Sequence, residues 1–303
     1  MKQTGIHKIA LIEKALEKLN GQIHHCTLCP RNCGVDRTNN RLGYCQLCYK
    51  MKIYKYKLHF GEEPSISGSR GSGIIFFSGC TMACVFCQNY PMSHLRRGYE
   101  VSPQGLVKIM IELQKQGAHN INLVTPTHFL PPILQSLQLA IEHGLHLPIV
   151  YNTSGYENIE ILKTLEGIID IYLPDIKYSE SVSAGKFSKT KNYPEFNFSA
   201  IREMFRQVGF LTTDENKLAK KGLIIRHLIL PNDVAGTETI FQFIAEEIDS
   251  RVHLSLMTQY LPVWDTKKYP EIDRRINHRE YTGMIDLLEK YKLKTGWLQE
   301  IDF

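Results

Sequence analysis

No stretch of the sequence approaches the ~18 to 20 consecutive apolar residues of a membrane span. Lys2, Lys8, Glu13, Lys14, Glu17 and Lys18 also break up the first twenty positions, where an export signal would place its apolar run. The expectation is a soluble, unexported, cytoplasmic protein that meets no membrane. Charge of one sign is scarce: 36 basic residues stand against 31 acidic ones, and the surplus lies in scattered pairs such as Arg96-Arg97, Lys220-Lys221, Lys267-Lys268 and Arg274-Arg275. Phosphate backbones are held by many clustered cations, so nucleic acid is not an expected partner. Internal repeats and low-complexity tracts are missing as well. Cysteine is absent after Cys87.

What is present is an ordinary globular composition, 43% apolar and 22% charged over 303 residues. At this length about three quarters of the unfolded surface can be removed from water, so the chain needs no disulfides to fold. Yet it carries eight cysteines, Cys26, Cys29, Cys33, Cys45, Cys48, Cys80, Cys84 and Cys87, all in one early stretch. In a reducing compartment such dense spacing indicates metal or cluster ligation rather than disulfides.

Residues 6–19 repeat apolar positions at helical spacing and stop at Asn20-Gly21, which predicts one amphipathic helix. Residues 22–67 hold five thiols among turn residues, as in a small unit whose metal replaces part of its core. From Gly73 onward, apolar runs at 74–77, 121–124, 148–151, 168–173, 223–230 and 252–257 alternate with amphipathic stretches at 104–116, 133–143, 158–166, 200–208 and 239–248. Six strands with crossover helices predict an α/β fold with a parallel sheet covered on both faces. The number suggests a partial (β/α)6 TIM-like barrel, with the chemistry in loops after the strands. The boundaries read as 1–68 for the amino-terminal helix and cysteine-rich unit, and 69–303 for the barrel with a carboxy-terminal helical region. Residues 177–197 read as a long loop, either a lid or a surface insertion.

Directly after the first of these strands come Cys80, Cys84 and Cys87, with three and two residues between them. Three ligands on one short loop differ from the four that close a structural zinc or an electron-carrying cluster, and they leave one metal position open. With Phe86 before the last thiol, the loop resembles the CxxxCxΦC signature of the radical S-adenosylmethionine superfamily. Residues 73–89, 120–128, 151–155, 170–177 and 26–34 together are similar to the pyruvate formate-lyase activating enzyme-like group of that superfamily. The resemblance implies a radical SAM barrel in which Cys80, Cys84 and Cys87 hold a 4Fe-4S cluster and the open iron binds S-adenosylmethionine. It further implies reductive cleavage to a 5'-deoxyadenosyl radical that abstracts hydrogen from a substrate, with flavodoxin or ferredoxin as electron donor.

By the same resemblance Arg226 would pair with the cofactor carboxylate, and Asn152, Ser154, Asp175 and Lys177 would contact cofactor or substrate. Where the family places Gly-Gly-Glu after the second strand, this chain has Thr125-Pro126-Thr127-His128. Thr125, Thr127 and backbone carbonyls would then replace the glutamate, or His128 would face the substrate as acid or base. The amino-terminal thiols allow two partitions: Cys26, Cys29, Cys45 and Cys48 with zinc-knuckle spacing, or Cys26, Cys29, Cys33 and Cys45, which match the related family's pattern and are preferred. Soft thiolates suit zinc and a second iron-sulfur cluster equally.

The resemblance makes the substrate a partner protein, a glycyl radical enzyme whose glycine Cα loses hydrogen. A radical enzyme acting on a small molecule or peptide is the alternative, and a noncatalytic metal-binding interaction module is the rival from outside enzymology. The distance in sequence between the two thiol groups suggests that they are independent.

Overall fold

The six apolar runs become six neighbouring strands of one sheet. In the computed structural model, which describes residues 2–299, the helix α1 (Lys2–His24) leads through the cysteine-rich stretch to β1 (Lys52–His59) and α2 (Pro64–Ser67). Then follow β2 (Ser72–Phe77), α3 (Tyr90–Ser93), β3 (Tyr99–Glu100), α4 (Pro103–Lys115), β4 (Ile121–Val124), α5 (Leu130–Glu142), β5 (Ile149–Thr153), α6 (Ile159–Lys163) and β6 (Ile171–Ile176). The remainder comprises α7 (Ser181–Ser188), α8 (Tyr193–Val208), β7 (Thr212–Thr213), β8 (Ala219–Leu228), α9 (Thr237–Phe243), β9 (His253–Met257), α10 (His278–Lys290) and β10 (Gly296–Leu298).

Strands β2, β4, β5, β6, β8 and β9 run parallel in that order, β10 adds a parallel partner to β9, and β1 and β3 extend the other side antiparallel. The sheet path is open between its first and last strands. The sheet therefore begins inside the segment that the sequence assigns to the amino-terminal unit: β1 is a barrel strand, disguised by Lys52, Lys55 and Lys57.

Residues alternate between the two faces, and both faces are buried, as parallel strands require. On the convex side Ile75, Leu123, Tyr151, Tyr172, Ile225 and Leu254 share one core with α4, α5, α8 and α9. That core also takes Ile12, Ala15 and Leu19 of α1, which lies against α5. Ser102 caps α4 by accepting from the Gly105 amide at 3.1 Å, with Pro103 in the first turn. On the concave side Val150, Ile171, Leu173 and Ile224 pack on Ile66, so α2 plugs the barrel floor. Its carbonyl at Ile66 accepts from Asn120 at 2.7 Å.

Residues 177–197 are not a loop. They form α7 and the start of α8, and Ala184, Phe187, Ser188 and Tyr193 are buried. Ser181 and Lys186, which suggest an open loop, are exposed on these helices, while Phe187, Ser188 and Tyr193 anchor the inner side.

Arg37 is 1% exposed and has no carboxylate partner among the described residues. Its guanidinium donates to the carbonyl of His128 and to that of Cys48, the latter at 2.7 Å, and lies 5.7 Å from the Phe129 ring centre. It thus ties the cysteine-rich stretch to the turn after β4. Removing the donor leaves buried carbonyls unpaired, so Arg37→Ala is expected to lower the unfolding free energy of the metal-free chain by about 3 kcal/mol. Exposed Lys108→Ala should change it by less than about 0.5 kcal/mol. Urea denaturation followed by circular dichroism checks both.

Candidate active site at the cysteine loop

The backbone after β2 leaves the sheet at Gly79, whose φ is +82°. A Cβ there would strike the Leu47 side chain and stand 3.2 Å from the Cys45 carbonyl oxygen. The cysteine-rich stretch therefore presses directly on the loop that carries Cys80, Cys84 and Cys87.

That loop has no regular structure of its own and is held from outside. The amides of Ala83 and Val85 donate to the carbonyls of Ser188 and Phe187 at 3.2 and 2.9 Å, and the Asp265 amide donates to Val85 O at 3.0 Å. His94 Nε2 lies 2.9 Å from the Cys84 carbonyl. Arg31 Nε donates to Thr81 O at 2.9 Å, while its other nitrogens reach the Lys189 carbonyl at 2.7 Å and Thr190 Oγ1 at 2.8 Å. Phe86 anchors the loop among Tyr178 and Tyr260, with ring centres 6.4 and 5.7 Å away.

All three thiols are free of disulfides. Ser188 Oγ donates to Cys84 Sγ at 2.9 Å, and Cys87 Sγ lies 3.1 Å from Ser93 Oγ. Burial, and secondarily the neighbouring thiols, push Cys80 up to about 12. Burial likewise pushes Cys84 up to about 11, against the opposing pull of Lys177, and raises Cys87. The metal-free thiols are thus protonated, and ligation would release their protons. Among the described residues no three His, Cys, Asp or Glu side chains gather around one point as ligands of a single ion do. Three soft sulfurs on one loop, with hydroxyls at two of them, are a donor set that fits an iron-sulfur cluster, which Cys80, Cys84 and Cys87 would hold.

Lys177 is the cation whose field reaches all three thiols. Its Nζ donates to Asp175 Oδ2 at 2.7 Å, and Arg226 Nε donates to Asp175 Oδ1 at 2.9 Å. Arg226 also donates to Asn152 Oδ1 at 2.5 Å and meets Glu62 Oε2 at 3.4 Å. Burial raises the Asp175 carboxyl, but Arg226 and Lys177 outweigh it and leave it below its ordinary value. Burial pushes Glu62 up to about 7, and Glu63 Oε2 is buried without a hydrogen-bond partner. These groups stand on the concave side of the sheet, where Asn152, Arg226, Glu62 and Glu63 line a cavity of about 370 Å³. Asn89, two residues past the last thiol, lines it too.

Of the residues expected around a cofactor, Asn152, Asp175, Lys177 and Arg226 form this one knot. Thr125 follows β4 directly with φ +59°, its amide donating to the Asn152 carbonyl at 2.9 Å. Ser154 lies just past β5, and its carbonyl accepts from the Tyr193 hydroxyl at 2.8 Å. Thr127 and His128 turn elsewhere. Thr127 Oγ1 donates to buried Glu157 at 2.7 Å, and His128 Nε2 donates to the Ser78 carbonyl at 2.7 Å. Burial and then Arg37 pull His128 down to about 3. It is a neutral histidine that braces the root of the cysteine loop. His227 is likewise satisfied, its two nitrogens 2.8 Å from Ile176 O and 3.1 Å from Thr237 Oγ1. Sequence reasoning missed Glu62, Glu63, Lys55 and Lys57; the alternation of Lys55, Lys57 and His59 was the available signal.

In the cysteine-rich stretch, Cys26 and Val35 pair through their backbones at 3.0 Å, and the Tyr44 amide donates to Cys33 Sγ at 3.1 Å. A Cβ on Gly43 would stand 3.4 Å from Cys33 Sγ and 3.8 Å from Cys45 Sγ. Burial raises Cys29 and Cys45, and Cys26 and Cys33 raise both further. Cys48 joins the unit through its carbonyl, which accepts from Arg37. The two thiol groups are not separate bodies: Arg31 lies 3.6 Å from the Tyr44 ring centre while holding Thr81.

Residues 74–213 match the Radical SAM superfamily model. The chain is 32% identical over 294 residues to the "Uncharacterized protein MJ0674" of Methanocaldococcus jannaschii, covering 93% of this chain and 80% of that one. Among solved structures it resembles a radical SAM methyltransferase from Sphaerobacter thermophilus, with a TM-score of 0.50 and 12% identity, over 75% of this chain and 66% of that one. Another is anSMEcpe with bound AdoMet, with a TM-score of 0.48 and 11% identity, over 72% of this chain and 61% of that one. The chain spans about two thirds of these solved structures or less, and at 12% identity the likeness to the first is one of fold alone. Members of the superfamily use a 4Fe-4S cluster and S-adenosylmethionine, require a reductant, and act on a substrate. No helix among the described residues is long and apolar enough to cross a membrane. With the three-cysteine loop set after β2 of a parallel α/β sheet, inside the matched segment, the chain belongs to the radical SAM superfamily.

Proposed function

We propose that Cys80, Cys84 and Cys87 hold a 4Fe-4S cluster at the top of the barrel and that S-adenosylmethionine is cleaved there to abstract hydrogen from a substrate in the concave cavity. The observation that carries this reading is the placement of Lys177: this half-buried cation pulls against the burial of all three thiols and is bonded to Asp175, whose partner Arg226 lines the cavity together with Asn152. When bound, the cluster and cofactor supply the electron transfer and the deoxyadenosyl radical. The chain does the rest. Lys177 and Arg226 are cations for a carboxylate, and Asp175 orients both. Thr125 and Asn152 offer short polar contacts at the strand ends. Phe86, Tyr178 and Tyr260 keep water from the loop.

The second thiol group is a further metal site in this reading, formed by Cys26, Cys29, Cys33 and Cys45, with Cys48 outside it. The sulfurs of Cys33 and Cys45 both lie within 4 Å of the Cβ position of Gly43, which supports their belonging to one set. The activating-enzyme resemblance favours hydrogen abstraction from a glycine of a partner enzyme, with flavodoxin or ferredoxin as donor.

Anaerobically reconstituted protein given dithionite and S-adenosylmethionine should form 5'-deoxyadenosine. Cys84→Ala should abolish that product and the cluster's visible absorbance while far-UV circular dichroism stays unchanged. Cleavage that persists in Cys84→Ala, or none from intact protein with its cluster, would contradict the reading. Metal analysis of the purified chain tests the second site: Cys33→Ala should lose its metal and Cys48→Ala should keep it. The reverse result would restore the zinc-knuckle partition.

A further inference from the structure

Beside the catalytic knot, the cavity has a flank with no role so far. Lys55, Lys57 and His59 alternate along β1, and all three line the cavity at the open side of the barrel. Alternate positions share a strand face, so the three basic groups form one ladder. Neither lysine has a carboxylate partner among the described residues. Lys55 Nζ lies 5.2 Å from the Phe76 ring centre, which holds it against the cavity wall by a cation–π contact. Burial, with Lys57 and Lys55 adding to it, lowers the pKa of His59, as expected of an imidazole within reach of two ammonium groups. Across the opening stand Ser255, Met257 and Trp297. The acidic groups of the cavity, Glu62 and Glu63, are at its floor, where Glu62 faces Arg226 instead.

Unpaired cations on the wall of a cavity that is also lined by an indole are an arrangement suited to a small oxyanion with an apolar or unsaturated body. We propose that this lateral mouth anchors the substrate, and that the substrate is a small molecule bearing a carboxylate or phosphate seated between Lys55, Lys57 and His59, with its body against Trp297, in place of the partner-enzyme glycine that the resemblance alone favours. The inference rests on the cavity being the reaction chamber. The carboxylate of S-adenosylmethionine is not the anion concerned, because Lys177 and Arg226 already stand at the thiol end. A ligand anchored at the mouth would extend inward past Arg226 toward the cysteine loop, so the mouth sets which carbon is presented.

Trp297 reports on this mouth directly. The chain has 2 tryptophans, so Trp264→Phe leaves Trp297 as the sole indole emitter. Metal-free protein of that background is titrated with inorganic phosphate and, separately, with glutarate, and choline serves as a cationic control. At least one anion should give a saturable change in Trp297 emission, and the stronger of the two identifies phosphate or carboxylate as the anchoring group. Lys55→Gln/Lys57→Gln should weaken that binding at least fivefold. Lys55→Arg/Lys57→Arg, which keeps the charge, should retain it within about twofold. A saturable response to neither anion, or equal binding by the Gln and Arg pairs, overturns the proposal. Because the titration uses no cluster and no S-adenosylmethionine, its failure is separate from failure of the radical reading, which shows as missing 5'-deoxyadenosine.

Discussion

A loop that is to ligate a cluster with only three thiolates, as proposed for Cys80, Cys84 and Cys87, cannot lean on a fourth ligand to fix its shape. Its backbone has to be held by the protein, and most of the surrounding structure can be understood as doing so. Phe187 and Ser188 hold Val85 and Ala83, Asp265 holds Val85, His94 holds Cys84, and Arg31 holds Thr81. Apart from His94, which follows the loop closely, these partners come from three distant parts of the sequence. The segment over 177–197 is accordingly ordered, because its inner side supplies two of the carbonyls. The amino-terminal cysteine unit is pressed against Gly79 for the same reason.

A second constraint is electrostatic. Asp175, Glu62 and Glu63 face Arg226 and Lys177 in a space largely withdrawn from water. Buried charges persist only when paired and hydrogen-bonded, and Arg226 spends three nitrogens on Asp175, Asn152 and Glu62. Such a knot is pre-organised but fully engaged, so an incoming carboxylate would have to share these donors. Glu63, with an unpaired buried oxygen, is the member with capacity to spare.

The sequence made the six parallel strands legible because each is a short, predominantly apolar run, as parallel strands buried on both faces are. Cys80, Cys84 and Cys87 were legible because their chemistry depends on spacing along the chain. β1 escaped because its cavity-facing positions are lysine and histidine, so its alternation reads as a solvated stretch. Thr127 and His128 sat at the right place in sequence for cofactor contacts, yet the turn after β4 directs them to Glu157 and Ser78. Side-chain direction in a turn depends on φ values such as that of Thr125, which composition does not encode. The proximity of the two thiol groups depends on tertiary packing through Arg31 and Leu47, and linear separation concealed it.

The account depends on an iron that the protein leaves free for the cofactor. Electron paramagnetic resonance of the reconstituted, reduced protein tests this directly, recorded before and after addition of S-adenosylmethionine. The account predicts that the cofactor shifts the signal of the cluster held by Cys80, Cys84 and Cys87. A spectrum indifferent to saturating S-adenosylmethionine, with that cluster present and reduced, would contradict it.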